Sequence, residues 1–314
     1  MERAPFFEEL AEGPRGGGAY WLTTADGVRI RIGLWPAARG GTEKGTVFLL
    51  PGRTEYVEKY GPAAGDLAER GFATITVDFR GQGLADRAHD DRNLGHVHHF
   101  DEYQLDVDAL AKAAHDLDLP RPFFLLTHSM GGCIGLRALH RGLAVQASMF
   151  SAPMWGIQLA PPVRPFAWGL SWLSHHSNMG HNYAPGTGSE TYVTANPFDD
   201  NQLTTHRPMY EFMQRQARAH PALALGGPSL SWLFAALSET RDLARLPAPA
   251  MPSLTFLGTN ERIVDTAPIH ARMSDWSGGV LEMIGGAEHE VLMEGPELRA
   301  RIYDQTVALF NTHA

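Results

Sequence analysis

Phe123-Phe124-Leu125-Leu126-Thr127-His128-Ser129-Met130-Gly131-Gly132 is the stretch that decides how this chain is read. An apolar run of strand length leads straight into a serine with small residues close by, and a helix-like pattern follows. Strand, sharp turn and helix are the surroundings of a nucleophile elbow, in which a strained backbone pushes the serine side chain out at the top of a sheet. Close neighbours must then be small. The G-x-S-x-G pattern has Thr127 in place of its first glycine, keeps Gly131, and gains Gly132 where the helix passes close to the strand. Ser171 and Ser229 also have a glycine two residues before them, but none two residues after and no strand run in front. Ser129 is the candidate nucleophile.

Outward from the elbow, short strand-like runs alternate with amphipathic helix patterns. Tyr20 to Thr24 and Val28 to Trp35 read as a hairpin around Asp26-Gly27, and Thr46 to Leu50 and Ala73 to Val77 as buried strands. Between the latter two, Val57, Tyr60, Ala64, Leu67 and Ala68 share a helical face that Gly71 ends. Another helix starts near Asp101. This alternation predicts an α/β fold, a mostly parallel sheet with helices on both faces. From Met154 to Thr240 the alternation stops, helical patterns dominate, and four of the seven tryptophans fall there: Trp155, Trp168, Trp172 and Trp232. Alternation resumes with Ser253 to Leu257 and Val280 to Ile284, and a helix from Pro296 to Phe310 closes the chain. The expected organisation is a core of residues 1–153 and 241–314 with a helical cap, 154–240, inserted. The four tryptophans are candidates both for the core of that cap and for the wall of an apolar substrate pocket.

A serine hydroxyl needs a base within hydrogen-bond reach and a third group to orient the base. Behind an elbow the partners follow in the order serine, acid, histidine, each from a loop at the carboxyl end of a strand. His289 meets this in the loop Gly285-Gly286-Ala287-Glu288-His289 after Val280 to Ile284. Two carboxylates follow Ser253 to Leu257: Glu261 and Asp265. Asp265 precedes Thr266-Ala267-Pro268, a helix start, so capping suits it and Glu261 is the expected acid. The oxyanion of the attack needs donors fixed in advance. The backbone N–H of Met130 is one; the N–H of Arg53, in Pro51-Gly52-Arg53 after Thr46 to Leu50, is the other.

Composition excludes several alternatives. The net charge of −9 and the absence of basic clusters argue against nucleic acid, and any membrane contact would be apolar and transient. The lone Cys133 permits no internal disulfide and suits a small buried hydrophobe. Residues 1–13 carry four glutamates and no signal-peptide run, and no eighteen apolar residues run together, so a cytoplasmic protein is expected. Asp78 to Gly83 has two glycines but no lysine to make a phosphate cradle; Arg80 is expected to pack beneath the loops. His96, His98 and His99 are of a metal-binding residue type, but no acid–histidine pattern on a regular element supports a site, and no metal or cofactor is expected.

The residues resemble the α/β-hydrolase-fold serine hydrolases that include bacterial lysophospholipases and monoacylglycerol lipases. The resemblance spans nearly the whole chain: Pro51-Gly52-Arg53 with Glu55-Tyr56 and Lys59-Tyr60, Asp78 with Arg80 to Gly83, Gly95-His96-Val97, His128 to Gly132, and Ser151 to Met154. His220-Pro221 with Leu223 to Pro228 is similar to the bacterial lysophospholipase branch. The resemblance implies hydrolysis of single-chain lipid esters, with Ser129, Glu261 and His289 as triad and Arg53 and Met130 as oxyanion donors. Thr127, Pro51 and Glu261 depart from the family's usual glycine, histidine and aspartate. Other readings are a small-ester carboxylesterase, an aminopeptidase with Glu190, Asp199 or Asp200 facing a substrate amine, and a silent binding protein.

Overall fold

The computed structural model describes residues 1–38, 43–177 and 179–314. A short helix, α1 (Glu8–Ala11), precedes the hairpin of β1 (Gly18–Thr23) and β2 (Arg29–Trp35), which turns at Gly27 with φ of 87°. Then come β3 (Gly45–Leu50), α2 (Gly61–Glu69), β4 (Phe72–Asp78), α3 (Glu102–Asp116), β5 (Phe123–His128), α4 (Met130–His140) and β6 (Ser148–Ser151). Four helices follow: α5 (Arg164–His175), α6 (Tyr192–Ala195), α7 (Arg207–Ala219) and α8 (Leu230–Leu243). The chain ends with β7 (Ser253–Gly258), α9 (Thr266–Asp275), β8 (Gly279–Ile284) and α10 (Pro296–Thr312).

The eight strands form one sheet in the order β1-β2-β4-β3-β5-β6-β7-β8. β2 runs antiparallel to both its neighbours, and from β4 to β8 every pairing is parallel. Side chains alternate across a strand, so neighbours on β3 serve opposite layers. Phe48 and Leu50 join the core beneath α3, α4, α8 and α9, while Val47 and Leu49 join the one beneath α2 and α10. Parallel strands buried on both faces place their carboxyl ends along one edge, where crevices for ligands open.

The stretch 154–240 contains no strand among its described residues. Its far boundary is not sharp: α8 continues to Leu243, and Trp232, Ala235, Ala236 and Leu243 are buried in the apolar layer that includes α4. Ser229 caps α8 by accepting from Trp232 N–H at 3.0 Å. The strand β6, with only four residues, lacks a run long enough to stand out in the sequence.

Candidate active site

Ser129 sits between β5 and α4 with φ of 50° and ψ of −117°, a conformation that costs free energy in any residue with a side chain. The turn is over-determined by its neighbours. Ser129 N–H donates to Ser151 O at 3.0 Å, and Ser129 O accepts from Gly132 N–H and Met154 N–H, both at 2.8 Å. A Cβ on Gly131 would lie 2.1 Å from Leu50 O, so glycine there lets α4 lie against β3. Thr127, in place of the elbow glycine, is accommodated from the other side. A Cβ on Gly135, in α4, would stand 2.7 Å from Thr127 Cγ2, so the small residue that makes room stands on the helix and not on the strand.

The loops after β7 and β8 meet because Gly258 has no side chain: a Cβ there would lie 2.3 Å from Ala287 O. Across this contact His289 Nδ1 lies 2.7 Å from Glu261 Oε2. Glu261 Oε1 is held by Ile263 N–H at 2.6 Å and Val264 N–H at 3.0 Å. Burial opposes ionisation of Glu261, but His289 and these two backbone donors outweigh it and hold the carboxyl below its ordinary range. Asp265 is placed elsewhere: it caps α9 through Ala267 N–H at 3.2 Å and pairs with Arg164 at 2.9 Å. Ser129 and His289 line one cavity, with no hydrogen bond between hydroxyl and imidazole among the described residues.

The loop after β3, on the same cavity, is clamped by Gln82, which accepts from Thr54 N–H at 3.0 Å and donates to Gly52 O at 3.1 Å. Gly52 N–H is taken by Glu55. The N–H groups of Arg53 and Met130 have no acceptor among the described residues. Gln82 was not singled out in the sequence; its neighbour Arg80 lies on the far side of the turn, paired with Asp106 at 2.8 Å and Asp26 at 2.7 Å.

Beside His289 lies a buried charged layer whose members Glu55, Lys59 and His128 the sequence offered only as part of the family resemblance, with no role assigned. Lys59 Nζ bridges Glu55 at 2.6 Å and Glu290 at 2.5 Å, and Tyr60 donates to Glu55 at 2.5 Å. Burial would strip the Lys59 charge, but its two carboxylates more than compensate and raise it above its ordinary value. His128 joins this layer with Nε2 3.6 Å from Glu55, and burial pushes its imidazole down to about 3.

The cavity has a volume of about 460 Å³ and a largely apolar wall that includes Met154, Ile157, Leu203, Met213, Ile263 and Trp232. Of the four candidate tryptophans the structure brings only Trp232 to it. Trp155 packs against Phe150 and Trp276 and faces a different cleft; Trp168 packs on Phe234; Trp172, 53% exposed, lies against His176. Tryptophan content alone does not say which way a helix turns, and α5 turns Trp168 and Trp172 away. Leu203, Met213 and Ile157 carried no distinguishing signal, being ordinary apolar residues in helical or loop sequence.

Among the described residues, two clusters have the composition of a metal site. His98, His99 and His175 have ring nitrogens within 4.8 Å of one another, yet His98 and His175 stack face to face at 4.3 Å instead of converging lone pairs. Glu55, His128 and Glu290 also cluster, with the Lys59 ammonium already serving as the cation between the two carboxylates.

The family described as Hydrolase_4, "Serine aminopeptidase, S33", matches residues 41–296, more than half of the chain. The chain belongs to this α/β-hydrolase family. The hydrolase is also 34% identical over 280 residues to lysophospholipase L2 of Escherichia coli, covering 85% of this chain and 80% of that protein. It is 28% identical to the probable lysophospholipase L2 of Haemophilus influenzae, over 82% and 80% of the two chains. A solved structure of a soluble variant of monoglyceride lipase from Saccharomyces cerevisiae matches the fold of this hydrolase with a TM-score of 0.73 at 18% identity, over 94% of this chain and 95% of that one. The relatives therefore agree with the α/β-hydrolase fold and lipase-like resemblance read from the sequence. No helix among the described residues of the hydrolase is long and apolar enough to cross a membrane.

Proposed function

We propose that this hydrolase is a serine carboxylester hydrolase that forms an acyl-enzyme on single-chain lipid esters of the lysophospholipid or monoacylglycerol type, with residues 154–240 as its cap. The observation that carries the reading is a histidine oriented by a buried carboxylate, His289 with Glu261 at 2.7 Å, on the wall of the apolar cavity that holds the elbow serine. In the mechanism, Ser129 Oγ attacks the ester carbonyl carbon while His289 Nε2 takes the hydroxyl proton. The tetrahedral oxyanion sits against the N–H groups of Arg53 and Met130. Collapse breaks the carbon–oxygen bond, and the leaving alkoxide takes the proton from His289. Water, deprotonated by the same imidazole, then releases the fatty acid and restores Ser129.

The apolar wall suits an acyl chain, and the surface supports delivery of lipid. Phe166, Leu170 and Leu173 follow helical spacing along α5, with Val163 just before it, and with Phe166 77% and Leu173 60% exposed they form a stripe able to touch a micelle or bilayer transiently. For an aminopeptidase, a free carboxylate should face the substrate amine. Glu190, Asp199 and Asp200 are exposed and off the cavity wall, while Glu55 and Glu290 on the wall are paired with Lys59.

The test is a fluorophosphonate probe together with a hydrolysis panel of lysophospholipids, monoglycerides, short aryl esters and aminoacyl amides. Wild type should be labelled and should hydrolyse the lipid esters. Ser129→Ala should lose labelling and turnover, on the order of a millionfold where triad members act as one unit. Undiminished hydrolysis by Ser129→Ala, or preference for the amides, overturns the reading.

A further inference from the structure

Among the described residues, three cationic side chains other than histidine line the cavity, and two of them are neutralised by carboxylates. Lys59 lies between Glu55 and Glu290; Arg262 pairs with Asp200 at 3.0 Å and Glu288 at 3.3 Å. Arg53 has no carboxylate partner among the described residues. Its guanidinium is held by neutral groups only: Nη2 donates to Gly226 O at 2.6 Å, and the plane lies over the Trp232 ring with 5.3 Å between Cζ and the centroid. Its Nε is buried with no acceptor, and Nη1 donates to no described residue. Burial without a counter-charge lowers the Arg53 pKa to about 10.

Two segments distant from Arg53 in the chain build this position. Gly95 makes room for the guanidinium, since a Cβ there would stand 2.4 Å from Nη2. Gly226 supplies the carbonyl, and the two segments are joined by Gly95 N–H donating to Gly227 O at 3.0 Å. Holding a desolvated, uncompensated arginine in place is costly unless an anion completes it. A planar guanidinium with unsatisfied donors suits a phosphate, which can accept from more than one of them. Arg53 and Ser129 line the same cavity, so a substrate whose ester meets Ser129 would present its remaining part to the wall that holds this guanidinium.

We propose that Arg53 is the headgroup-recognition residue of this cavity, binding the phosphodiester anion of a lysophospholipid and so favouring it over a neutral monoglyceride. The inference rests on the esterase reading for the orientation of the substrate, but binding can be tested without turnover. Dodecylphosphocholine, 1-O-dodecylglycerol and inorganic phosphate are titrated into wild type, Arg53→Gln and Gly95→Ala by calorimetry below the micelle threshold, with circular dichroism establishing the fold of each variant. Wild type should bind the phosphocholine lipid about tenfold or more tightly than the glycerol ether, the size expected of charge-assisted hydrogen bonds. Arg53→Gln should abolish most of this preference, and Gly95→Ala, which crowds the guanidinium without replacing it, should lower it. Inorganic phosphate should bind far more weakly than the lipid.

The kcat/KM ratio of lauroyl lysophosphatidylcholine to monolaurin should fall in parallel in Arg53→Gln. That ratio cancels any loss common to both substrates. Equal binding of the two dodecyl lipids by wild type, an unchanged preference in folded Arg53→Gln, or free phosphate binding as tightly as the lipid overturns the proposal. A preference that survives when Ser129 fails to label leaves the headgroup site standing and removes only the esterase reading.

Discussion

Glu261 Oε2 lies 2.7 Å from His289 Nδ1, and its other oxygen is fixed by two backbone N–H groups, so the carboxylate sets which imidazole nitrogen is turned away from it. Replacing Glu261 by Gln keeps the shape and removes the acceptor that selects the tautomer. Glu261→Gln should therefore lose about ten-thousandfold in kcat, as the equivalent change does in serine proteases. Asp265→Asn should retain most activity and cost at most about 1 kcal/mol through its cap on α9. Steady-state kinetics on both variants at equal folded fraction checks the assignment; the larger loss in Asp265→Asn would reverse the roles.

The threonine at the elbow makes a prediction of its own. Alanine in place of glycine within a helix ordinarily stabilises by about 1 kcal/mol. At Gly135 the added methyl would meet Thr127 Cγ2 at 2.7 Å, and overpacking of about 1–3 kcal/mol outweighs the gain. Gly135→Ala should be destabilised, and Thr127→Ser, which removes Cγ2, should recover much of the loss in the double variant. Urea unfolding of the four proteins of this cycle measures the coupling; simple additivity would show that the two residues do not share the space.

His128, with its ring centroid 4.8 Å from that of His289, is neutral in the folded protein because burial pushes its imidazole from the ordinary 6.5 down to about 3. Between those values the unfolded chain binds a proton that the folded protein does not, so this contribution to stability is lost as pH falls and regained as it rises. The slope is at most about 1.4 kcal/mol per pH unit. Unfolding free energies from pH 4.5 to 8 should show the difference between wild type and His128→Gln rising with pH up to about 6.5 and level above it. A difference independent of pH would mean that His128 carries its proton in the fold.

The apolar wall predicts a dependence on acyl length. Each buried methylene contributes about 0.8 kcal/mol, roughly a fourfold gain in kcat/KM, until the cavity is full. Met213→Ala, which enlarges the cavity, should move the optimum to longer chains, whereas Trp168→Ala and Trp172→Ala, outside it, should leave the series in place. Rates measured from acetyl to palmitoyl esters below the micelle threshold provide the check; preference for acetyl esters leaves a small-ester hydrolase.

Much of this candidate site is legible in the amino-acid sequence. Thr127 to Gly132 announced a strand, a tight turn and a helix through residues adjacent in the chain, and His289 stood in a loop directly after a strand pattern. Asp265 could be set apart from Glu261 because a helix start is a local feature. The tryptophans were a poorer guide. Apolar character places a residue against something, and only packing says against what: Trp232 is turned to the cavity, Trp155 to another cleft, and Trp172 to the surface.

The sequence by itself determined the alternation of strands and helices, the strand–turn–helix around Ser129, and the placing of Glu261 and His289 in loops after strands, because side-chain periodicity and turn chemistry act over a few neighbouring residues. Tertiary structure alone decided that Gly135 makes room for Thr127, that Gln82 clamps the loop bearing Arg53, that Lys59 compensates Glu55 and Glu290, and that Gly95 and Gly226 hold over Trp232 a guanidinium with no carboxylate partner among the described residues. Those relations join segments far apart in the chain. Their energies come from close packing and desolvated charge, which exist only once the sheet has brought the segments together.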